Sequence, residues 1–306
     1  MWRSMMLATA MKTLNIIGAG RAGRTLAALW RERSVFSIQD ILNRSAASAQ
    51  AAAAFIGAGR VCASVQAMCP ADFWLIATPD GELVHAGQTL VSSGLLRSAD
   101  VVFQLSGATP STELAAVLGD SVLLASAHPL KSFADAGDAR RTFEGTYCAM
   151  EGSAAALAVL RPAFEQIGAQ VTEIAPQFKT VYHAASVMVC NYLTALMEAG
   201  LQCYEKAGLP RATARAMMEP LVRETVDNVF KLGTIKALTG PIARGDHAVV
   251  QRQMAALSEC DPSLAAVYQS LGAIAVSLSR EKGGASVQAL EATVRALAHS
   301  PVRPSQ

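Results

Sequence analysis

The chain has 306 residues, 52% of them apolar and 16% charged, with a formal net charge of +2. That length suggests about two domains, and the apolar share is enough for a sizeable core. The near-balanced charge offers no general attraction to nucleic acid or anionic lipid, and no aromatic-and-basic patch of the single-strand-binding kind is present. Six cysteines, at 62, 69, 148, 190, 203 and 260, form no C-x-x-C pair. No zinc site, other metal site or dithiol motif is therefore expected, and scattered thiols with apolar neighbours fit a reducing cytosol. Residues 1–12 hold too short an apolar stretch for a signal peptide and read as a frayed tail or an alternative start at Met11. No uninterrupted run of 18 apolar residues occurs, so no membrane span is expected.

Residues 14–17 are a short apolar run, read as a buried parallel strand. They lead straight into Gly18-Ala19-Gly20-Arg21-Ala22-Gly23. A helical pattern follows, with Leu26, Leu29 and Trp30 on one face. Strand, glycines, helix is the context a dinucleotide site needs. Gly18 permits the tight turn, Gly20 lets the backbone approach a pyrophosphate, and Gly23 lets helix and strand pack closely. The helix N-terminus presents free N–H groups and partial positive charge to phosphates. The competing reading is a glycine turn without a ligand.

Further strands are expected at 38–42, weakly at 60–63, then at 73–77, 101–105, 122–125, 147–150 and 170–174. Helices lie between most of them, including 45–55, with Ser45 or Ser48 as cap, and 153–167. This alternation predicts an α/β Rossmann domain over 11–175, with a doubly wound, mainly parallel sheet. Past Ala175-Pro176 the strand signals vanish. Apolar residues recur at helical spacing, broken at 208–210, Gly233, 239–241 and 261–262, so 176–300 is expected to be an all-helical substrate and dimerisation domain. Its first helix runs from Lys179 to about Lys206 and is apolar around most of its circumference. Such a helix calls for cover on several sides, and a homodimer supplies it. Residues 300–306 read as a disordered tail.

Candidate site residues gather where the strands end. An NAD site places a carboxylate at the end of the second strand; here Asn43, Arg44 and Ser45 stand there. Arginine and serine suit a 2′-phosphate, so NADP(H) is favoured over NAD. Arg44 also reads as a solvated surface charge, and Arg21 and Arg24 as phosphate contacts or solvated residues alike. Thr78, Pro79, Ser106 and Gly107 fall where a nicotinamide ribose and ring would lie, although such residues are also ordinary turn formers. Asp80 is expected to cap the next helix. His128, at a strand end near Lys131 and Ser132, is a candidate to exchange a proton with a carbonyl. On the long helix Lys179 and His183 share a face, Ser186 lies close to it, and Asn191 is about 80° round. In the loop 239–246, Arg244 suits a substrate carboxylate and Asp246 a cap.

These motifs carry a family resemblance. The glycine turn, His128-Pro129-Leu130-Lys131-Ser132-Phe133, Glu151-Gly152, Tyr182-His183-Ala184-Ala185, Asn191-Tyr192-Leu193 and the run 237–246 resemble a two-domain bacterial family. Its C-terminal part is called domain of unknown function 2520. The resemblance spans Met11 to about Leu278. It implies an NADP-linked oxidoreductase, a relative of pyrroline-5-carboxylate reductase and the 3-hydroxyacid dehydrogenases, with dimerisation through the helical domain. The chain departs from the 3-hydroxyacid dehydrogenases in one respect. Their interdomain helix carries Lys-x-x-x-Asn, whereas Lys179 is followed here by His183, so their catalytic roles do not transfer.

The expectation is an NADPH-dependent oxidoreductase for a small keto or imino acid. His183, with Lys179, supplies the proton; Asn191 and Arg244 orient the substrate; His128 and Ser106 line the ring pocket. The alternative is a non-catalytic NADP(H)-binding redox sensor.

Overall fold

A computed structural model of the protein describes residues 11–298. The expectations for a frayed start before Met11 and a tail after 299 lie outside the described residues. The chain forms two compact units, Met1–Val189 and Cys190–Gln306, and passes from one to the other within a helix.

The first unit alternates strand and helix: β1 (Thr13–Ile17), α1 (Arg21–Glu32), β2 (Ser37–Leu42), α2 (Ala46–Ile56), β3 (Arg60–Val61), β4 (Phe73–Ile76), α3 (Leu83–Ser92), β5 (Val101–Gln104), α4 (Ser111–Leu118), β6 (Leu123–Pro129), α5 (Ala136–Arg141), β7 (Tyr147–Gly152), α6 (Ala154–Glu165) and β8 (Gln170–Glu173). The strands form one sheet in the order β3-β2-β1-β4-β5-β6-β7-β8. Chain order reverses at β1 and β4, which makes the crevice beyond their carboxyl ends the place for a ligand.

Strand alternation divides the core. Leu14, Ile16, Phe73, Leu75, Phe103 and Ala127 point to one face. Ile17, Trp74, Ile76, Val102 and Leu124 point to the other, under α3 and α4. On the first face Trp30 stands edge-on to Phe36, Phe103 and Phe164, with ring centres 5.4, 6.0 and 5.1 Å away. Its indole N–H donates to the Ala163 carbonyl at 2.9 Å, so the buried ring leaves no polar atom unmatched.

Two details differ from the sequence expectation. β7 runs antiparallel to β6, with His128 opposite Ala149 and Pro129 opposite Cys148. The helix in the link, α5, has six residues, about 9 Å at 1.5 Å per residue. It is too short to carry the chain back across the sheet, so β7 starts where β6 ends. β6 also runs beyond the expected 122–125, because this pairing holds it extended through Pro129.

Among the described residues all elements beyond β8 are helical: a short 3-10 turn, then α7 (Lys179–Lys206), α8 (Arg211–Leu232), α9 (Thr234–Ala237), α10 (Gly240–Arg244), α11 (His247–Cys260), α12 (Pro262–Lys282) and α13 (Val287–Ala298). In the second unit, Ile242, Val250, Met254, Val276 and Leu290 form one core. Leu201, Ala214 and Met218 join α7 to α8. With its preceding turn, α7 is the one helix among the described residues long and apolar enough to cross a membrane, by length and composition. A search for an uninterrupted apolar run misses it because polar residues interrupt the sequence. Its first residue, Lys179, is fully buried in an ion pair with Glu151 of β7.

Candidate cofactor and catalytic site

The turn after β1 is built as a phosphate cradle requires. Gly18 has φ +92°, and a Cβ there would come within 2.8 Å of the Ala77 carbonyl and the Thr78 nitrogen. A Cβ on Gly23 would meet the Gly18 oxygen at 3.1 Å and the Ala77 Cβ at 3.2 Å. Gly18 is demanded by packing and by its backbone, and Gly23 sits in a tight contact that favours the smallest residue. Gly20 is different: its φ is −68° and a Cβ there would meet nothing within 4 Å. Gly20 begins α1 with no side-chain cap and no acidic residue in the first turn, so the helix's free N–H groups have no carboxylate to answer them. These residues fit a dinucleotide pyrophosphate.

At the end of β2, Asn43 and Ser45 build structure. Asn43 Oδ1 accepts from the Ala19 N–H at 2.6 Å and its Nδ2 donates to Ser48 Oγ at 2.9 Å. Ser45 Oγ caps α2 by accepting from the Ser48 N–H. Arg44 is exposed and has no hydrogen bond or ion pair with the described residues. The only carboxylate of β2, Asp40, is buried and turned towards β3. Burial alone would raise its pKa, but hydrogen bonds from Arg60 and the Cys69 N–H hold it below the ordinary value. Arg21 donates to the Ala134 carbonyl at 2.9 Å, and Arg24 to the Gly20 carbonyl at 3.2 Å.

Further along the sheet edge, Thr78 follows β4 with its hydroxyl buried and unpartnered among the described residues; Pro79 is exposed beside it. Asp80 does not cap a helix as expected. Its carboxylate accepts from the Ser106 hydroxyl at 2.8 Å, tying the end of β4 to that of β5. Ser106 Oγ in turn accepts from the N–H groups of Ala108 and Thr109. Its polar atoms thus shape the turn that presents Gly107.

Over Gly107 the first turns of α7 meet the sheet. Lys179 and His183 share a face and both point at it. Lys179 donates to Ser126 Oγ at 2.5 Å and pairs with Glu151 at 3.4 Å, both side chains fully buried. Glu151 also accepts from Ser111, through its N–H at 2.8 Å and its hydroxyl at 2.6 Å. Burial lowers the pKa of Lys179, and Glu151 opposes that shift. One helical turn on, His183 lies 5.4 Å from His128, ring centre to ring centre, at 77°. The Tyr182 hydroxyl is 3.1 Å from His128 Nδ1. A Cβ on Gly107 would overlap His183 Nδ1 and come within 2.8 Å of His128 Nε2. His183 Nδ1 is buried without a partner among the described residues. Burial, then His183 and Lys179, lower His128 to a pKa of about 4 against the opposing pull of Asp80, so it is neutral at pH 7.

The remaining candidates have other surroundings. Lys131 donates to the Thr142 carbonyl at 2.7 Å, closing α5. Asn191 and Arg244 are exposed residues of the second unit. Asp246 caps α11 through the Val249 N–H, as its position predicted. Sequence reading gave no role to Glu151, Ser126 or Tyr182. Glu151 carried a signal, a lone carboxylate ending the apolar run 148–150; for Tyr182 only its place beside His183 pointed to it.

Residues 3–129 match the model of a Rossmann-like domain, and residues 146–274 that of domain of unknown function 2520. No curated protein matches the sequence. Among solved structures, protein TM1727 from Thermotoga maritima aligns with a TM-score of 0.71 at 22% identity, over 89% of this chain and 100% of that one. A candidate NADP oxidoreductase from Bacteroides fragilis aligns at 0.67 and 21%, over 89% and 98%. The Plasmodium falciparum pyrroline carboxylate reductase, solved with NADP bound, aligns at 0.54 and 11%, over 93% and 98%. At these identities the likeness is one of fold. The chain thus carries a Rossmann-like domain over residues 3–129, followed by a domain of unknown function 2520 over residues 146–274.

Proposed function

We propose that the chain is an NADPH-dependent oxidoreductase acting on a small carbonyl or imine. One observation carries the reading: a continuous line of contacts along the carboxyl ends of β1, β4, β5 and β6. It starts at the open glycine turn, runs through Gly18 against Thr78 and Asp80 against Ser106, and ends at two histidines over Gly107. The names of the structural neighbours, NADP oxidoreductase and pyrroline carboxylate reductase with NADP bound, support the same cofactor class.

Gly18, Gly20, Gly23 and the start of α1 would hold the pyrophosphate. Arg44 would bind the 2′-phosphate, and Thr78, Pro79 and Gly107 would flank the nicotinamide end. Bound there, the cofactor supplies or accepts a hydride. Around the reacting carbon, His183 exchanges the proton and His128 stays neutral. Lys179, fully buried and held by Glu151 and Ser126, fixes the start of α7 instead of donating a proton. In the second unit Arg244, exposed and charged, is a group suited to a carboxylate, and Asn191 an exposed amide. We further propose a cytosolic homodimer: Val181, Met188, Val189 and Tyr192 of α7 are 72%, 56%, 74% and 60% exposed, which favours cover by a second copy.

A fluorescence titration of NADPH and NADH tests the cofactor assignment. Loss of a charge-assisted contact costs about 1.5–3 kcal/mol. Arg44→Ala therefore weakens NADPH binding roughly 10- to 100-fold and leaves NADH nearly unchanged. Equal losses for both would refute the 2′-phosphate contact.

A further inference from the structure

We infer that Tyr182 locks His128 in the Nε2–H tautomer, so that His128 Nε2–H and His183 Nδ1 together grip one oxygen of a carbonyl–alcohol pair beside Gly107. This rests on the oxidoreductase reading above and narrows its substrate class from carbonyl or imine to carbonyl.

The tautomer follows from hydrogen-bond matching. Tyr182 OH lies 3.1 Å from His128 Nδ1. Burial raises the Tyr182 pKa, so the hydroxyl keeps its proton. If it donates, both its proton and the Nδ1 lone pair are satisfied. In the reverse arrangement the hydroxyl proton has no acceptor among the described residues. His128 is neutral near pH 7, so its single proton then sits on Nε2. The charged and titratable groups acting on it are His183, Lys179 and Asp80, with Asp80 alone favouring a charge.

That Nε2 faces Gly107, as does the unpartnered Nδ1 of His183. A Cβ built on Gly107 would lie 2.2 Å from His183 Nδ1 and 2.8 Å from His128 Nε2, so the two nitrogens are within about 5 Å of each other, a separation that one oxygen hydrogen-bonded to both can bridge. Both residues are partly exposed, while the His183 Nδ1 atom itself is covered. A carbonyl oxygen has two lone pairs and accepts from both imidazoles. An alcohol oxygen accepts from His128 and donates to His183. Each oxidation state is therefore matched if His183 exchanges its proton and His128 keeps its own. In reduction, hydride from the reduced nicotinamide bonds to the carbonyl carbon, leaving an oxidised nicotinamide. The C=O π pair moves to oxygen, oxygen takes the Nδ1 proton of His183 in its imidazolium form, His183 is left neutral with its proton on Nε2, and solvent returns a proton to Nδ1. An imine nitrogen has one lone pair and an iminium none, so either leaves a buried N–H of the pair unmatched. Tyr182 acts through His128 and is a positioning residue.

Nitrogen-15 NMR on the full chain labelled at histidine tests this without turnover. His128 should appear as the neutral Nε2–H tautomer down to about pH 5, and Tyr182→Phe should lose that preference. An Nδ1–H tautomer in the unaltered chain, or no change in the variant, would overturn the inference. The chain is then saturated with NADP+, which blocks reduction, and given 2-keto acids or five-ring cyclic imino acids. Keto acids should shift both His128 Nε2 and His183 Nδ1. A response to imino acids alone, or to neither, overturns the carbonyl assignment. An NADPH titration of the chain before NADP+ is added separates the two readings: no binding refutes the oxidoreductase reading, while the tautomer result stands by itself. Once a keto-acid substrate is known, Tyr182→Phe should lower kcat about 10- to 100-fold with NADPH affinity unchanged.

Discussion

Lys179→Met gives the sharpest test of how α7 is fastened to the sheet. The ammonium and the Glu151 carboxylate are 3.4 Å apart and fully buried. At an effective dielectric of 20, that separation corresponds to an attraction of about 5 kcal/mol. Desolvation of two ions costs a similar amount, so the intact pair contributes little net stability. Removing one member is another matter. Methionine fills the same space but leaves the carboxylate buried, with only the two Ser111 hydrogen bonds to answer it. Breaking a buried pair in this way costs about 3–5 kcal/mol. For a unit of this size the midpoint should fall by roughly 2–4 °C per kcal/mol, or about 6–20 °C. Thermal unfolding followed by circular dichroism reads it directly. Lys179→Met/Glu151→Gln should recover part of the loss, because no uncompensated charge remains. A double variant as unstable as the sum of the two single ones would refute the pairing argument, as would a single variant within about 1 kcal/mol of the parent.

Two further outcomes follow from the same groups and surfaces. His128 has a folded pKa of about 4 against an ordinary 6.5, so between those values the unfolded chain binds more protons. Stability should fall as pH drops from about 6.5 to about 4 in denaturant titrations, and His128→Gln should flatten that slope; an unchanged slope would remove His128 as its source. Light scattering at micromolar concentration should give about twice the 32.0 kDa chain mass, and a monomer would refute the proposed homodimer.

Much of the fold was legible because local signals and global packing agree. Continuous apolar strands such as 73–76, the glycine turn and the helix breaks at Gly208, Gly233 and Pro262 each carry their own pattern. The 28-residue span of α7 follows from the lack of any proline between Lys179 and Lys206, the isolated Gly200 being tolerated within the helix. The antiparallel turn of β7 was not legible, since strand direction depends on whether the link can recross the sheet, and a six-residue helix has no distinctive pattern. At the site, Lys179 and His183 were found by helical spacing. What each points at depends on partners 28 to 76 residues away, Ser126, Glu151, Gly107 and His128, and no spacing rule encodes those. Asp80 was misread for the same reason: a carboxylate at a strand end looks like a cap until the Ser106 hydroxyl is brought to it.

The central claim, that a dinucleotide occupies the turn after β1, is tested most directly by Gly20→Val. Its backbone at φ −68° accepts any side chain, and a Cβ there meets nothing of the protein within 4 Å. The variant should keep its melting temperature, whereas Gly18→Ala should not, since its Cβ would strike the Ala77 carbonyl. In a fluorescence titration Gly20→Val should lose NADPH binding, because its side chain stands where the pyrophosphate approaches the backbone. A folded Gly20→Val that binds NADPH as tightly as the parent would contradict the account.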